Sequence, residues 1–400
     1  MKTDAINRAL ELRKTLRKDD KVLVTDFSNT LQGKDTSKVI DLMPNIRTGE
    51  YVFRAKFNIK DIDPKAAVEY KMPFKDIRTM SGLEIEDLIK RQEFDFPLWF
   101  KHNKGFDIKR ATDYNTPFIA QVGGCNFHDG TATGGCWYCF VDDKSNDGKV
   151  SEGKAWLGVE EVVDSMLSAR KKIRNFYNQE HNFDLDIKVL RISGGEPTIV
   201  LDYVLDVWRE IAKRGLDLVG QIDSNLSTGS VVKRFEKEGI YEKNILEKLA
   251  EHPVKVLTAI KGTDEANLQS NVQSNATMKE QLYSIKRFLR AGFDIYPQMY
   301  NPNPDSLWSY LDKMDRHIEN FSLRIHIGPL KVYGPTTQRL THEAKRLGIA
   351  PEELIQRKKQ EWDDNYKNGC EVMDSYLVEN YGVGYKDSVR SDVPLKLLKE

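Results

Sequence analysis

Residues 125–140, CNFHDGTATGGCWYCF, hold three of the chain's four cysteines and one of its seven histidines. Four cysteines in 400 residues are too few for a disulfide framework, and three clustered thiols point to a metal or iron–sulfur site. Two chemistries are open at this point. Cys125-x2-His128-x7-Cys136-x2-Cys139 could close a tetrahedron around zinc, a structural arrangement that carries out no reaction. Cys125, Cys136 and Cys139 alone could hold three irons of a [4Fe–4S] cluster and leave the fourth iron for a ligand that is not protein, which is a catalytic arrangement. Cys370, isolated in YKNGCEVMD, reads as a bystander.

A second stretch bears on the same question. RISGGEPTIV (191–200) places Gly194 and Gly195 at the end of a β-like run, where they expose backbone to a ligand, and Pro197 fixes the following turn. Taken alone, the stretch is also an ordinary strand-to-helix turn with Glu196 at the helix start. Ser224 and Asn225 in DSNL, and Lys261 in TAIKG, close two further β-like runs. Gln298, His326 and Lys331 lie near the ends of the last two, and no side chain is singled out as a catalytic acid or base.

These motifs need a scaffold that brings strand ends together. From Thr116 onward, β-like runs at 117–122, 186–193, 216–224, 254–260, 294–300 and 322–328 alternate with helical patterns near 158–177, 201–214, 232–251, 276–291 and 304–319. Leu282, Ile285, Phe288 and Leu289 make one such stripe, stopped by Gly292. The expected fold is α/β, with parallel strands in an open sheet or a partial barrel whose function gathers at the C-terminal strand ends. Residues 1–115 are expected to form an α+β addition serving as docking surface or lid, with an N-terminal helix, an extended pair around GEYVFRAKFNI and the aromatic stretch EFDFPLWFKHN. Residues 332–400 read as a helical extension, with a surface helix in PEELIQRKKQEWDDNYKNG.

Lysine plus arginine equals aspartate plus glutamate at 61 each, which gives no field towards nucleic acid or an anionic membrane. No run approaches the length of a membrane span, and the N-terminus shows no secretory pattern, so a cytoplasmic protein is expected.

A strand, a three-cysteine loop ending C-x2-C-aromatic, a second strand and then GGEP resemble the radical S-adenosylmethionine (radical SAM) superfamily over about residues 116–331. The family's usual loop is C-x3-C-x2-C. Here it is C-x10-C-x2-C, with seven extra residues rich in small and turn-forming types that are expected to loop out. The resemblance implies a partial (β/α)6 barrel core and an oxidoreductase with one [4Fe–4S] cluster on Cys125, Cys136 and Cys139. It further implies S-adenosylmethionine held by Tyr138, Gly194, Gly195, Glu196, Pro197, Ser224, Asn225 and Lys261. Where some relatives carry D-x-K, this chain has Ala259 before Lys261. Implied partners are an electron donor such as a flavodoxin or ferredoxin, and a substrate that is either a partner protein or a small molecule. The implied reaction is reductive cleavage of S-adenosylmethionine to a 5′-deoxyadenosyl radical that abstracts hydrogen. The reading from another class is a non-catalytic zinc module on Cys125, His128, Cys136 and Cys139.

Overall fold

The computed structural model describes residues 2–25, 30–32, 38–44, 51–57, 118–131, 133–181, 186–385, 388 and 393–398. The first helix, α1 (Ala5–Leu16), starts at Asp4, whose carboxylate accepts from the Asn7 amide at 2.8 Å. Its buried stripe of Ala9, Leu12 and Leu16 joins the same apolar core as Val122, Leu190 and Ile199. A hairpin of β1 (Arg17–Lys18) and β2 (Lys21–Thr25) follows, then the antiparallel pair β3 (Lys38–Pro44) and β4 (Tyr51–Phe57), where an extended pair is expected. The aromatic stretch at 93–103 lies outside the described residues.

The core strands are β5 (Phe118–Val122), β7 (Val189–Gly194), β8 (Val219–Ser224), β9 (Val254–Ile260), β10 (Ile295–Tyr300) and β12 (His326–Gly328), while the short β11 (Ile318–Glu319) pairs with Lys396–Leu397 outside this sheet. They run parallel and neighbour one another in sequence order. At the β5 edge, β2 and β3 pair with β5, and β6 (Lys154–Leu157) pairs with β2. The fold is therefore mixed α/β with a parallel central sheet. Among the described residues no ladder joins β12 back to the β5 edge.

Three expectations are revised. The last β-like run forms a strand only at His326–Gly328, because Phe321–Arg324 winds into a helical turn after Asn320, whose φ is 67°. That turn is fixed by the buried Arg324, which reaches Asp294 at 2.6 Å and the Ile295 carbonyl at 3.0 Å. The helix expected over 232–251 splits into Gly229–Lys237 and Ile245–Ala250, with left-handed residues Gly239 and Asn244 between them. The helix Pro351–Tyr381 is less a surface element than its polarity implies, since Leu354, Trp362, Met373, Tyr376 and Leu377 are buried. Among the described residues no helix is long and apolar enough to cross a membrane.

The two faces of the sheet differ. Leu190, Ile192, Ile222 and Val256 point towards the helices, and Trp208 packs so closely on Gly220 that a Cβ there would stand 2.2 Å from its ring. Register puts Arg191 beside Gln221 and Gln121 beside Ser193 on the opposite face, with Asp223 also there. Parallel strands covered on both faces usually read as continuous apolar runs. Here one face alternates into polar residues.

Candidate functional site

The loop after β5 and the turn after β7 are joined backbone to backbone. The Gly195 amide donates to the Val122 carbonyl at 2.9 Å, and the Glu196 amide donates to the Gly124 carbonyl at 2.8 Å. A Cβ at Gly195 would lie 1.8 Å from that Gly124 oxygen, and Gly194 adopts φ +100° with no room beside Gln121. The paired glycines are thus needed for the approach of the two loops.

Glu196 is fully buried, and Pro197 opens the 3-10 turn Pro197–Val200 that it caps. Its Oε1 accepts from Ser224 Oγ at 2.6 Å and Thr198 Oγ1 at 2.5 Å, and its Oε2 accepts from the Asn225 amide at 2.8 Å. Burial holds the Glu196 carboxyl above its ordinary value, while these donors pull it back. Ser224 and Asn225 therefore bind the turn after β7 to the end of β8. Asn225 Nδ2 also donates to Asn126 Oδ1 at 2.8 Å and stands 3.9 Å from Cys125 Sγ. Asn146 Nδ2 has the same relation to Cys139 Sγ, also at 3.9 Å.

All three loop cysteines are free thiols and pack with Phe127, Leu268 and Val272. Cys370 is packed instead against the main core. Burial pushes the Cys125 thiol well above its ordinary value, and Cys136 and Glu196 add to that. Burial likewise raises Cys136 to about 11, against the pull of Lys261 and Arg339.

The extra residues of the loop do not simply loop out. Asn126, Phe127 and His128 are buried, with Asn126 Nδ2 donating to Ser227 Oγ at 3.0 Å. The Asp129 amide donates to the Gly134 carbonyl at 3.2 Å, and Gln273 Nε2 holds the Thr133 carbonyl at 2.6 Å. Both ring nitrogens of His128 are used. Nδ1 accepts from the Gly130 amide at 3.0 Å, so Nε2 carries the proton and donates to Asp143 Oδ1 at 3.1 Å. A zinc set of Cys125, His128, Cys136 and Cys139 would need one of those nitrogens.

Among the described residues no three His, Cys, Asp or Glu side chains form a group that could hold a single metal ion. Thiolates on one zinc stand about 3.8 Å apart, given Zn–S bonds of about 2.3 Å in a tetrahedron. A multi-iron cluster is wider and spreads its thiolates further. The three free cysteines, with amide groups 3.9 Å from two of their sulfurs, are the thiolate donors that the described loop offers to a metal or cluster.

Lys261 leaves the end of β9 with its ammonium over two rings, 5.0 Å from the Tyr138 centroid and 5.8 Å from that of Tyr300. Among the described residues it has no ion-pair partner. Tyr138 is buried against Tyr300 and Trp362, with ring centroids 6.1 Å apart in each case. Ala259 lends only its carbonyl, 3.5 Å from Gln281 Nε2. Gln298 accepts from Tyr300 Oη at 2.5 Å, His326 lies 3.5 Å from Tyr385 Oη, and Lys331 is exposed.

Two contributors have no counterpart in the motifs. The helix Glu265–Asn271 ends on Asn271, whose carbonyl accepts from the Trp137 amide at 3.1 Å and whose Nδ2 donates to the Lys261 carbonyl at 2.7 Å. Arg339, on the helix Gly334–Leu347, is fully buried and donates to the carbonyls of Cys136 at 3.3 Å and Val141 at 2.6 Å, and also to that of Cys139. The signal for Arg339 is a charged residue within the buried stripe Thr336, Leu340 and Ala344.

No protein-family model matches the chain, and no curated protein matches it. Among solved structures, it is similar to the apo, selenomethionine-labelled cobalamin-dependent S-adenosylmethionine radical enzyme OxsB at 12% identity and a TM-score of 0.33. That likeness covers 60% of this chain and 31% of the other, and at this score it carries no argument.

Proposed function

We propose that the chain is a radical SAM enzyme that binds one [4Fe–4S] cluster through Cys125, Cys136 and Cys139. The observation that carries this reading is the junction of GGEP with the cysteine loop. Gly195 and Glu196 donate backbone hydrogen bonds to Val122 and Gly124, and Asn225 ties Glu196 to the Cys125 segment. Motifs separated by seventy to one hundred residues thus converge at the C-terminal ends of parallel strands, where α/β folds gather their chemistry.

The partial (β/α)6 barrel is supported by contacts between the two ends of the sheet. Arg339, beyond β12, touches the carbonyls of the loop after β5, and Tyr138 in that loop packs on Tyr300 at the end of β10. Loops from distant strands meet in this way when the sheet is bent.

When bound, the cluster and S-adenosylmethionine supply reductive cleavage of the sulfonium and a 5′-deoxyadenosyl radical for hydrogen abstraction. This chain's residues do the positioning. Cys125, Cys136 and Cys139 provide three thiolates, with Asn225 and Asn146 as amide donors beside two of them. The backbone of Gly194 and Gly195 offers polar groups to an amino acid moiety, and Pro197 and Ser224 fix the Glu196 turn beneath it. Lys261 offers an ammonium with no ion-pair partner among the described residues, matched to a carboxylate, and Tyr138 offers a ring face to an adenine. The buried walls of Phe127, Leu268 and Val272 exclude water beside the thiols. An electron donor of the flavodoxin or ferredoxin class completes the reaction.

The test is anaerobic incubation of the reconstituted protein with S-adenosylmethionine and dithionite. The expected result is 5′-deoxyadenosine from the wild type and none above background from Cys139→Ala. Equal amounts from both would refute the assignment.

A further inference from the structure

The polar face of the central sheet bears on the substrate, and here the argument rests on the radical SAM reading. Arg191 of β7 and Asp223 of β8 form an ion pair through Arg191 Nε and Asp223 Oδ2. Ser193 Oγ donates to the same oxygen, and Gln221 Nε2 donates to Asp223 Oδ1 at 2.7 Å. Both oxygens of Asp223 are therefore engaged by the protein. The Nη edge of Arg191 is not, since among the described residues its two Nη groups donate to nothing and 28% of its side chain is exposed.

Two arginines elsewhere differ. Arg13 has both Nη groups on Asp202 at 2.6 and 2.7 Å, and Arg339 uses all three nitrogens. Both forks are filled by the fold. The fork of Arg191 is held by its Nε edge with its Nη edge left open, and a planar pair of N–H donors matches a carboxylate or phosphate bidentately.

The position is also informative. Arg191 Cα lies three residues, about 10 Å, before the Gly194 end of its strand. Asp223 stands two residues nearer the strand ends and draws the guanidinium towards them, since the pairing Ile192 to Ile222 carried on one residue sets Ser193 beside Asp223. On the β5 flank, Gln121 is closed off by a reciprocal amide pair with Gln32 at 2.9 and 3.2 Å. The open fork thus lies on the polar face of the sheet, its Cα about 10 Å below the strand ends that carry the cysteine loop, a placement that suits the oxyanion of a small molecule.

We propose that Arg191 binds an oxyanion of the substrate, oriented by Asp223, and that the substrate is a small molecule carrying a carboxylate or phosphate group. The experiment is arginine modification of the full chain by phenylglyoxal, mapped residue by residue by mass spectrometry, with inorganic phosphate or succinate as probe and sodium chloride as ionic-strength control. Arg191 is expected to react while Arg13 and Arg339 do not. A probe at about ten times its Kd fills about nine sites in ten and should slow Arg191 modification about tenfold. Protection by phosphate alone assigns a phosphate, by succinate alone a carboxylate, and by both the shared oxyanion chemistry. An inert Arg191, or protection by neither probe beyond the chloride control, overturns the proposal. Iron content and 5′-deoxyadenosine formation do not enter this readout, so its failure is separate from failure of the radical SAM reading.

Discussion

Arg339 Nε lies 2.8 Å from Asp143 Oδ1, an oxygen that also accepts a hydrogen bond from His128 Nε2 at 3.1 Å. With its Nη groups on three carbonyls of the loop, this guanidinium links a helix beyond the last core strand to the segment that carries Cys136 and Cys139. Removing one member of a buried pair typically costs about 3–5 kcal/mol. Arg339→Ala is expected to lose stability of that order in denaturant unfolding and to expose Cys136 and Cys139 to alkylation. Arg339→Lys keeps the charge, cannot span three carbonyls, and should fall between. Wild-type thiol protection in Arg339→Ala would contradict this account.

Gly195→Ala tests the junction of the two loops. The added methyl would meet the Gly124 carbonyl at 1.8 Å, a backbone atom that cannot rotate away. The expected cost is about 3 kcal/mol, with loss of most reconstituted iron. Iron loading equal to wild type would show that the approach of GGEP to the loop is dispensable.

Glu196→Gln keeps the shape and removes one acceptor. One of the oxygens now accepting from Ser224, Thr198 or Asn225 becomes an NH2 facing a donor. A buried group left unsatisfied costs about 1–3 kcal/mol. Ser224→Ala removes one donor to Glu196 and the acceptor of the Leu226 amide, and should cost a similar amount. Equal stability of Glu196→Gln and wild type in denaturant unfolding would contradict the assigned role.

The thiols make a prediction about pH. Burial raises Cys136 from its ordinary 9.0 to about 11, so at neutral pH the iron-free protein holds it as the unreactive thiol. Alkylation of Cys136 in the reduced, iron-free chain should keep rising about tenfold per pH unit through pH ~9. A plateau near 9 would show an unperturbed thiol. Because metal binding requires thiolates, cluster assembly should release protons and improve towards higher pH.

Much of this arrangement was legible in the sequence. The six parallel strands follow from β-branched runs such as Val254–Ile260 bounded by turn residues, and the cysteines and glycines announce themselves by type and spacing. What was not legible depends on tertiary contacts. Residues 322–324 read as strand, yet burial of Arg324 against Asp294 wins locally. The stretch HDGTATGG reads as free loop because its composition does not reveal that His128 pairs with Asp143 and that Gln273 reaches Thr133. Arg339 and Asn271 belong to no motif. They act through backbone carbonyls, which every residue has, so no residue pattern in the loop points to them.

The most direct measurement is the visible spectrum of protein purified without oxygen, before and after dithionite, with iron and zinc assayed on the same sample. The account predicts a broad band near the visible–ultraviolet border that bleaches on reduction, with about four irons per chain. It predicts loss of that band in each of Cys125→Ala, Cys136→Ala and Cys139→Ala, but not in Cys370→Ala. A colourless protein with stoichiometric zinc, and no iron after anaerobic reconstitution, would contradict it.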